Sequence, residues 1–186
     1  MTKARSNTHR FGEHEDPAYR FCPVCGCDLR LEVIKPSEPK RLVCGRCSFV
    51  FYLDPKVAVG TLGTLDDRVI LLRRGIEPAY GQWVFPGGYV NRGETTTGAA
   101  IREAKEEVNL DVRIDSLLNV YSYRERPVVL IAYTVTVVGG ELGAGDEAIE
   151  VGTFAPEEIP WGDLAFPSTR DALREYLEKV VRAREG

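Results

Sequence analysis

The sequence predicts an α/β (α+β) fold, a sandwich with a mixed sheet. A small module that a bound metal ion would stabilise precedes it. Three observations support this: two Cys-x-x-Cys pairs near the start, short β-like runs mixed with two amphipathic helices, and no regular βαβ repetition. With 186 residues, 44% of them hydrophobic, the chain suits one main domain and a small one. We expect a disordered tail at 1–20, the small module at 21–52 and the main domain at 55–184.

The main domain is expected to contain five strands and two helices. The strands are predicted at residues 57–65, 69–73, 110–122, 128–138 and 148–154, with a turn at Asp66-Asp67 between the first two. The valine-rich run 128–138 is typical of a central strand that is covered on both faces. The helices are predicted at 97–108 and 167–184, and Ser168 with Asp171 resembles a capping box at the start of the second helix.

The two Cys-x-x-Cys pairs are Cys22/Cys25 and Cys44/Cys47, and 18 residues separate them. This spacing is typical of a closed four-thiolate Zn²⁺ site, which is usually structural. The alternatives are two disulfides or unrelated core thiols. Residues 1–20 are polar and charged and do not resemble a secretory signal, so we expect a reducing cytoplasm, which disfavours disulfides.

The remaining cysteine and the two histidines show no further ligand pattern. Cys27 is expected to be a spare buried thiol, while His9 and His14 fall in the tail. The net charge of −4 lacks the basic bias of a surface that follows phosphates, which argues against nucleic-acid binding. We therefore interpret the module as a folding and association unit. No apolar run approaches the length of a membrane span, so no membrane partner is expected.

The segment 88–110 is the most informative part of the chain. If its residues 97–108 are helical, Glu103, Glu106 and Glu107 share one face, with Cβ atoms within about 6 Å of each other. Like charges this close destabilise a helix unless a cation lies among them, and Mg²⁺ or Mn²⁺ takes oxygen ligands of this kind. The alternative is a solvated acidic helix face. The preceding glycine turn favours the metal interpretation, because paired glycines let backbone carbonyls approach a ligand.

This segment resembles the signature of the Nudix family, called the Nudix box, at nearly every fixed position, from Gly88 through Glu94 and Arg102 to Leu110. The box carboxylates are those of its glutamates. One fixed position departs, because the family usually has glycine where this chain has Asn109. That residue ends the helix, and asparagine is the next most tolerant type for a left-handed conformation. The resemblance implies the Nudix α/β/α sandwich and the metal-dependent hydrolysis of a nucleoside diphosphate linked to another moiety.

The resemblance also implies which residues hold the metal. Glu106 and Glu107 are expected to ligate Mg²⁺ or Mn²⁺, with Glu103 as a third ligand or as the general base. The backbone carbonyl of Gly88, or that of Gly87, is expected to complete the shell.

Other residues are expected to support the chemistry or bind the substrate. Arg102 would orient a box carboxylate through a charge-assisted hydrogen bond, and Glu94 would support the loop. A further acid often comes from a later loop in this family. Glu147 is the preferred candidate over Glu150, although a solvated acidic turn is an equal alternative.

Two pairs of residues are candidates for substrate contacts. Arg73 or Arg74 could clamp a phosphate, or both could be exposed structural arginines. Tyr121 and Tyr123 could stack on a base, or they could serve strand packing.

Two further segments reduce the number of candidate substrates. NADH pyrophosphatases of the family carry a Ser-Gln-Pro-Trp-Pro-Phe-Pro array shortly after the box, and residues 120–127 lack it. The chain is similar instead to a neighbouring group with a zinc ribbon and a Leu-Ala-Phe-Pro-Ser segment, here at 164–168, whose activities include cleavage of ADP-ribose and FAD. We expect a pyrophosphatase for one of these, releasing AMP. The open alternatives are an NADH-directed enzyme and a non-catalytic nucleotide sensor or zinc-ribbon binding protein. A homodimer is kept as an expectation because homodimers are common among relatives.

Overall fold

The structure, a computed structural model, describes residues 19–124 and 126–185. The expected tail therefore lies outside the described residues, apart from its last two, and so do His9 and His14. The chain divides into two compact units, with the boundary between Asp54 and Pro55. Within the described residues no helix is both long and apolar enough to cross a membrane.

The first unit is a three-stranded antiparallel sheet in the order β1-β2-β3. Its strands are β1 (Leu29–Glu32), β2 (Arg41–Cys44) and β3 (Val50–Phe51). The buried core comprises only Leu29, Leu42, Cys22 and Cys44, with a few partly buried neighbours. A core this small rarely stabilises a fold without a further cross-link, so half of it being cysteine is significant.

The second unit contains two sheets and two long helices. Its elements are β4 (Lys56–Leu62), β5 (Thr64–Leu65), β6 (Arg68–Arg74), β7 (Trp83–Val84), β8 (Gly87–Tyr89), α1 (Thr96–Val108), β9 (Leu110–Ser122), β10 (Val128–Gly140), β11 (Ala148–Phe154) and α2 (Pro167–Glu185). One sheet has the order β8-β4-β10-β9 and is mixed, because β4 and β10 run parallel. The other has the order β11-β6-β5, with β7 paired to β6.

Alternate residues of β6 belong to two different hydrophobic clusters. Ile70 and Leu72 pack with apolar residues of α1, whereas Val69 and Leu71 pack with apolar residues of α2. Successive side chains of a strand point to opposite faces, so the two helices cover opposite sides of this sheet. The expected α/β sandwich with a mixed sheet is confirmed, and β10 is an internal strand as predicted. The expectation that it is covered on both faces is wrong for its second half, where Val138 is 60% exposed.

The predicted strand 57–65 is in fact two strands that join different sheets. Gly63 separates β4 from β5 and lies against β10, where an added Cβ would be 2.8 Å from the carbonyl oxygen of Val135. A side chain at this crossing would have no room. The expected turn after β5 is present: Asp66 and Asp67 have φ of 51° and 62°, which suits a two-residue hairpin.

Both ends of α1 are capped. The hydroxyl of Thr95 accepts a hydrogen bond of 3.0 Å from the N–H of Gly98. At the other end Asn109 has φ of 56°, the left-handed conformation that the sequence predicted. Its side-chain amide also donates to the carbonyl of Glu141 at 2.9 Å, a contact that glycine could not make. This bond fixes the chain that leaves β10 beside the end of α1.

The capping box predicted for α2 is wrong. The helix begins at Pro167, so Ser168 lies inside its first turn. Asp171 accepts a hydrogen bond from the hydroxyl of Tyr123 instead of bonding back to the helix start. Proline at a first helical position needs no N–H partner, which explains a start without the box.

Candidate active site

Gly87 and Gly88 lie in strand β8, paired with β4, and neither has a positive φ, so the predicted glycine turn is wrong. Two of the three acids of α1, Glu103 and Glu107, contact this strand. The side chain of Glu103 lies so close to Gly88 that an added Cβ there would be 2.4 Å from its Oε1. A side chain at this position would displace the carboxylate of Glu103. Glu107 is 7% exposed, and its Oε2 accepts a 2.7 Å hydrogen bond from the N–H of Gly87. Glu106 is the outermost of the three, with a side chain that is 59% exposed.

Arg102 holds the carboxylates in place from one side. Its Nε and Nη2 bind both oxygens of Glu94, at 2.8 and 3.0 Å. Its Nη1 donates to Glu103 at 2.7 Å and to Glu106 at 2.9 Å, while Nη2 also reaches the carbonyl of Tyr89. The guanidinium holds the pKa of Glu94 at about 2. One arginine thus orients two carboxylates of the cluster and ties them to the loop before α1.

The carboxylate of Glu107 is short of compensating positive charge. Burial raises its pKa to about 7, the N–H of Gly87 opposes this, and the negative charges of Glu103 and Glu147 add to it. The charge of Arg74 also acts on it in the opposite direction. Burial likewise raises the pKa of Glu103. A buried group of acids in this state is suited to bind a cation.

The loop that carries Glu147 packs against the C-terminal end of α1. The N–H of Gly145 donates to the carbonyl of Glu107 at 3.0 Å, and an added Cβ at Gly145 would lie 1.9 Å from the carbonyl oxygen of Glu106. The charge of Glu147 raises the pKa of both Glu103 and Glu107. Glu147 is therefore close enough to these carboxylates to act on them.

Glu150 has a different neighbour. Its carboxylate lies 3.7 Å from the guanidinium of Arg73, and both side chains are exposed. Glu147, which the sequence analysis preferred, therefore lies near the α1 carboxylates. Glu150, the second candidate, lies at the surface.

The two candidate arginines at the end of β6 have different surroundings. Arg73 donates from Nε to the carbonyl of Gly81 at 2.7 Å and pairs with Glu150. Arg74 donates from Nε to the carbonyl of Pro78 at 2.9 Å, and its guanidinium lies 5.3 Å from the ring centre of Phe166. Of these two arginines, Arg74 is the one whose charge lowers the pKa of Glu107.

Tyr121 and Tyr123 bind α2. The hydroxyl of Tyr121 donates to Glu175 at 2.8 Å, and that of Tyr123 donates to Asp171 at 2.5 Å. Burial raises the pKa of both hydroxyls. These bonds tie β9 to α2, so the geometry favours the packing interpretation over base stacking for both tyrosines.

Sequence reasoning gave Phe166 no role, although it noted the segment in which this residue lies. That segment pairs with β7: the N–H of Trp83 donates to the carbonyl of Asp163 and the N–H of Ala165 to that of Trp83, each at 2.8 Å. Pairing between such short segments leaves no periodic signal in a sequence. Proline directly after Phe166 was the available sign that the chain changes structure there.

In the first unit the four predicted zinc ligands form one cluster. The sulfur atoms of Cys22, Cys25, Cys44 and Cys47 all lie within 4.8 Å of one another, and none is in a disulfide. The closest pairs are 3.4 and 3.6 Å apart. Tetrahedral zinc with Zn–S bonds of about 2.3 Å requires sulfurs about 3.8 Å apart, so the cluster fits this ion.

The four sulfurs differ in their environment. Backbone N–H groups of Cys47 and Arg46 lower the pKa of Cys44 to about 6, which favours the thiolate. Against a backbone hydrogen bond at Cys27 that lowers it, the neighbouring sulfur of Cys44 and burial raise the pKa of Cys25 to about 12. Cys27 is not a member of the cluster and is half-buried, not buried as predicted. Its sulfur lies 3.7 Å from a guanidinium nitrogen of Arg46.

Family models match nearly the whole of the described chain. Residues 54–178 match the model described as NUDIX domain, and residues 20–53 match the zinc-ribbon model described as Nudix N-terminal. A solved structure, that of a NUDIX hydrolase from Nitrosomonas europaea, superposes with a TM-score of 0.81 at 34% identity and covers 87% of this chain and 92% of that one.

Two kinds of curated relative are similar to the chain. The ADP-ribose pyrophosphatase of Methanocaldococcus jannaschii is 38% identical over 163 residues, which is 84% of this chain and 94% of that protein. The NAD-capped RNA hydrolase NudC of Stutzerimonas stutzeri is 26% identical over 173 residues, which is 90% of this chain but 58% of that protein. Since the domain model matches most of the chain and the archaeal relative is matched along nearly its full length, this chain belongs to the Nudix hydrolase family.

Proposed function

We propose that the protein hydrolyses the pyrophosphate bond of ADP-ribose, with FAD as the next candidate, and releases AMP. The observation that carries the proposal is the grouping of three acids of α1 at β8: Arg102 holds Glu103 and Glu106 together, Glu103 lies against Gly88, and Glu107 accepts from the N–H of Gly87. The similarity to an ADP-ribose pyrophosphatase along nearly all of that protein supports the choice of substrate.

The cluster suits a hard divalent cation, either Mg²⁺ or Mn²⁺. Its side-chain donors are all carboxylate oxygens, the ligand type that these ions prefer. The pKa of Glu107 is raised mainly by burial and further by the charge of Glu103, and a bound cation would offset both effects. We assign the ligand role to Glu103, Glu106 and Glu107 together with the carbonyl of Gly88 or Gly87. When bound, the ion supplies neutralisation of the diphosphate oxygens and a lowered pKa of a water molecule.

Side chains of the protein are proposed to orient the ligands and to accept the proton of the attacking water. Arg102 keeps Glu103 and Glu106 in position, so that neither has to be ordered when the substrate arrives. Glu147 has no side-chain hydrogen bond recorded within the described chain, whereas Glu103 already accepts one from Arg102. We therefore assign the proton-accepting role to Glu147, with Glu103 as the alternative.

The reaction is a hydrolysis at one phosphorus atom. The oxygen of a water molecule forms a bond to phosphorus while the bond from phosphorus to the bridging oxygen breaks. The water proton passes to the carboxylate base, and the products from ADP-ribose are AMP and ribose 5-phosphate. The positive charge of Arg74 lies near Glu107 and is available for a phosphate oxygen.

The first unit is proposed to bind one structural Zn²⁺ through its four clustered cysteines. We propose the module at 21–52 and the hydrolase domain at 55–184 as the functional division. We also propose that the protein acts in the cytoplasm on a small nucleotide, as a homodimer, with neither a membrane nor nucleic acid as partner.

An NADH-directed or NAD-cap-directed hydrolase is the second candidate. It is favoured by the NudC relatives, which match 90% of this chain. The missing array after the box counts against it. A nucleotide sensor without turnover is the third, and the complete set of acids argues against it.

The test is a substrate panel with purified protein in Mg²⁺ and then Mn²⁺. ADP-ribose, FAD, NADH and NAD-capped RNA are compared by kcat/KM, and the products are identified by chromatography. We expect kcat/KM for ADP-ribose or FAD to exceed that for NADH by a factor of about ten or more, since recognition of a polar group can discriminate at least this strongly. A preference for NADH or capped RNA would select the second candidate, and binding without turnover of any member would select the sensor.

A further inference from the structure

We infer that Phe166 is a positioning residue that holds Arg74 as the clamp for the substrate diphosphate. The inference rests on the proposed function, because it assigns how the diphosphate is recognised at that same site. It also separates two neighbouring arginines that the sequence could not distinguish.

Two contacts define the orientation of the Arg74 guanidinium. Its Nε donates to the carbonyl of Pro78, 2.9 Å away. Phe166 covers it, with the guanidinium carbon 5.3 Å from the ring centre. The backbone places Arg74 beside the acid of the later loop, because Arg74 pairs with Ala148 of β11 and the N–H of Gly75 donates to the carbonyl of Glu147 at 2.7 Å. The described residues give its two terminal nitrogens no hydrogen-bond partner, so these donors are available to a ligand beside the carboxylate cluster.

The ring of Phe166 is itself held by backbone structure. The two residues on either side of Leu164 bond to Trp83 of β7, and Pro167 begins α2 directly after the ring. The carbonyl of Phe166 accepts from the N–H of Thr169 at 3.1 Å, which completes the start of the helix. A residue fixed on both sides can hold a flexible arginine in one orientation, which lowers the entropy lost when that arginine binds a ligand.

Arg73 provides the internal contrast. It also donates from Nε to a carbonyl of the same loop, but its terminal nitrogen is beside the exposed Glu150, not beside a box carboxylate. No aromatic ring is recorded over Arg73 within the described residues. Arg73 thus bonds to the loop and to a surface carboxylate. Arg74 has terminal N–H groups available and an aromatic ring packed against it.

The experiment measures binding of methylene diphosphonate, a diphosphate that cannot be hydrolysed, by titration calorimetry in Mg²⁺. Four proteins form a double-mutant cycle: wild type, Phe166→Leu, Arg74→Lys and the double variant. Phe166→Tyr keeps the ring and is the rescue variant. Phe154→Leu is the matched control, because Phe154 packs edge-on against Trp83 and makes no recorded contact with Arg74.

We expect Phe166→Leu to weaken binding about tenfold in the wild-type background and less than about twofold when lysine replaces Arg74. Phe166→Tyr should restore binding, and Phe154→Leu should leave it unchanged even if it lowers the melting temperature. An equal loss in both backgrounds, no rescue by tyrosine, or no binding by wild type would each overturn the inference. Since the probe needs no turnover, failure of the substrate panel with an intact coupling would reject the proposed hydrolysis alone.

Discussion

In protein free of Mg²⁺ and Mn²⁺, the buried carboxylate of Glu107 should make the second unit less stable as the pH rises. Its pKa is raised from 4.5 to about 7 in the folded state, mainly by burial. The folded state therefore holds this proton more tightly than the unfolded state does. The corresponding stability is fully present below pH 4.5 and is lost as the pH rises through 7.

The size of the effect follows from the shift. A pKa of about 7 in place of 4.5 corresponds to about 3 kcal/mol of unfolding free energy. No discount for solvent screening is needed, because Glu107 is only 7% exposed. Glu107→Gln cannot ionise, so its stability relative to wild type should increase by about 3 kcal/mol between pH 4.5 and pH 8.

Urea unfolding followed by tryptophan fluorescence measures this difference. The chain's two tryptophans, Trp83 and Trp161, both belong to the second unit, so the signal reports that unit. Chelators are left out so that zinc is not stripped. Glu150→Gln is the control, and it should change stability by less than about 1 kcal/mol at either pH, since its ion pair is exposed. If Glu107→Gln differs from wild type by the same amount at both pH values, the account of Glu107 as a strained, uncompensated charge is wrong.

Two further predictions follow from the two metal sites. Glu106→Gln should lower metal-dependent kcat by about a hundredfold or more, because it removes a proposed ligand. It should not lower the melting temperature, because the side chain is largely exposed. Glu150→Gln makes the same change in charge and should retain activity, and equal activity of the two variants would contradict the ligand role. Cys22→Ser should lose the bound zinc, measured by elemental analysis, and destabilise the first unit with a milder loss of turnover; a wild-type protein containing no zinc would refute that assignment.

The sequence predicted the relative placement of the acids well where they lie within one helix. The spacing of Glu103, Glu106 and Glu107 determines a shared face, and the left-handed Asn109 followed from its position after the last helical turn. Both are local properties of consecutive residues. The long strands β9 and β10 were equally readable, because runs of 13 residues carry enough periodic signal.

The sequence could not predict contacts made by segments distant along the chain. Gly63 interrupts a run that reads as one strand, and only the approach of β10 explains the break. Asp171 resembles a helix cap but serves Tyr123, from which 48 positions separate it. The roles of Arg73 and Arg74 depend on which side of β6 each side chain leaves and on Phe166 from the end of the domain. Such partners are set by tertiary packing, which overrides local preference.

The central claim is that the acids on α1 bind a divalent ion where the diphosphate is cleaved. Crystals soaked in Mn²⁺ and measured near its absorption edge test this directly through the anomalous difference map. We expect a peak about 2.0–2.4 Å from carboxylate oxygens of at least two of Glu103, Glu106 and Glu107, beside the carbonyl of Gly88 or Gly87. A fully occupied Mn²⁺ elsewhere, with Arg102 still bridging Glu103 and Glu106 and no ion beside them, would contradict this assignment.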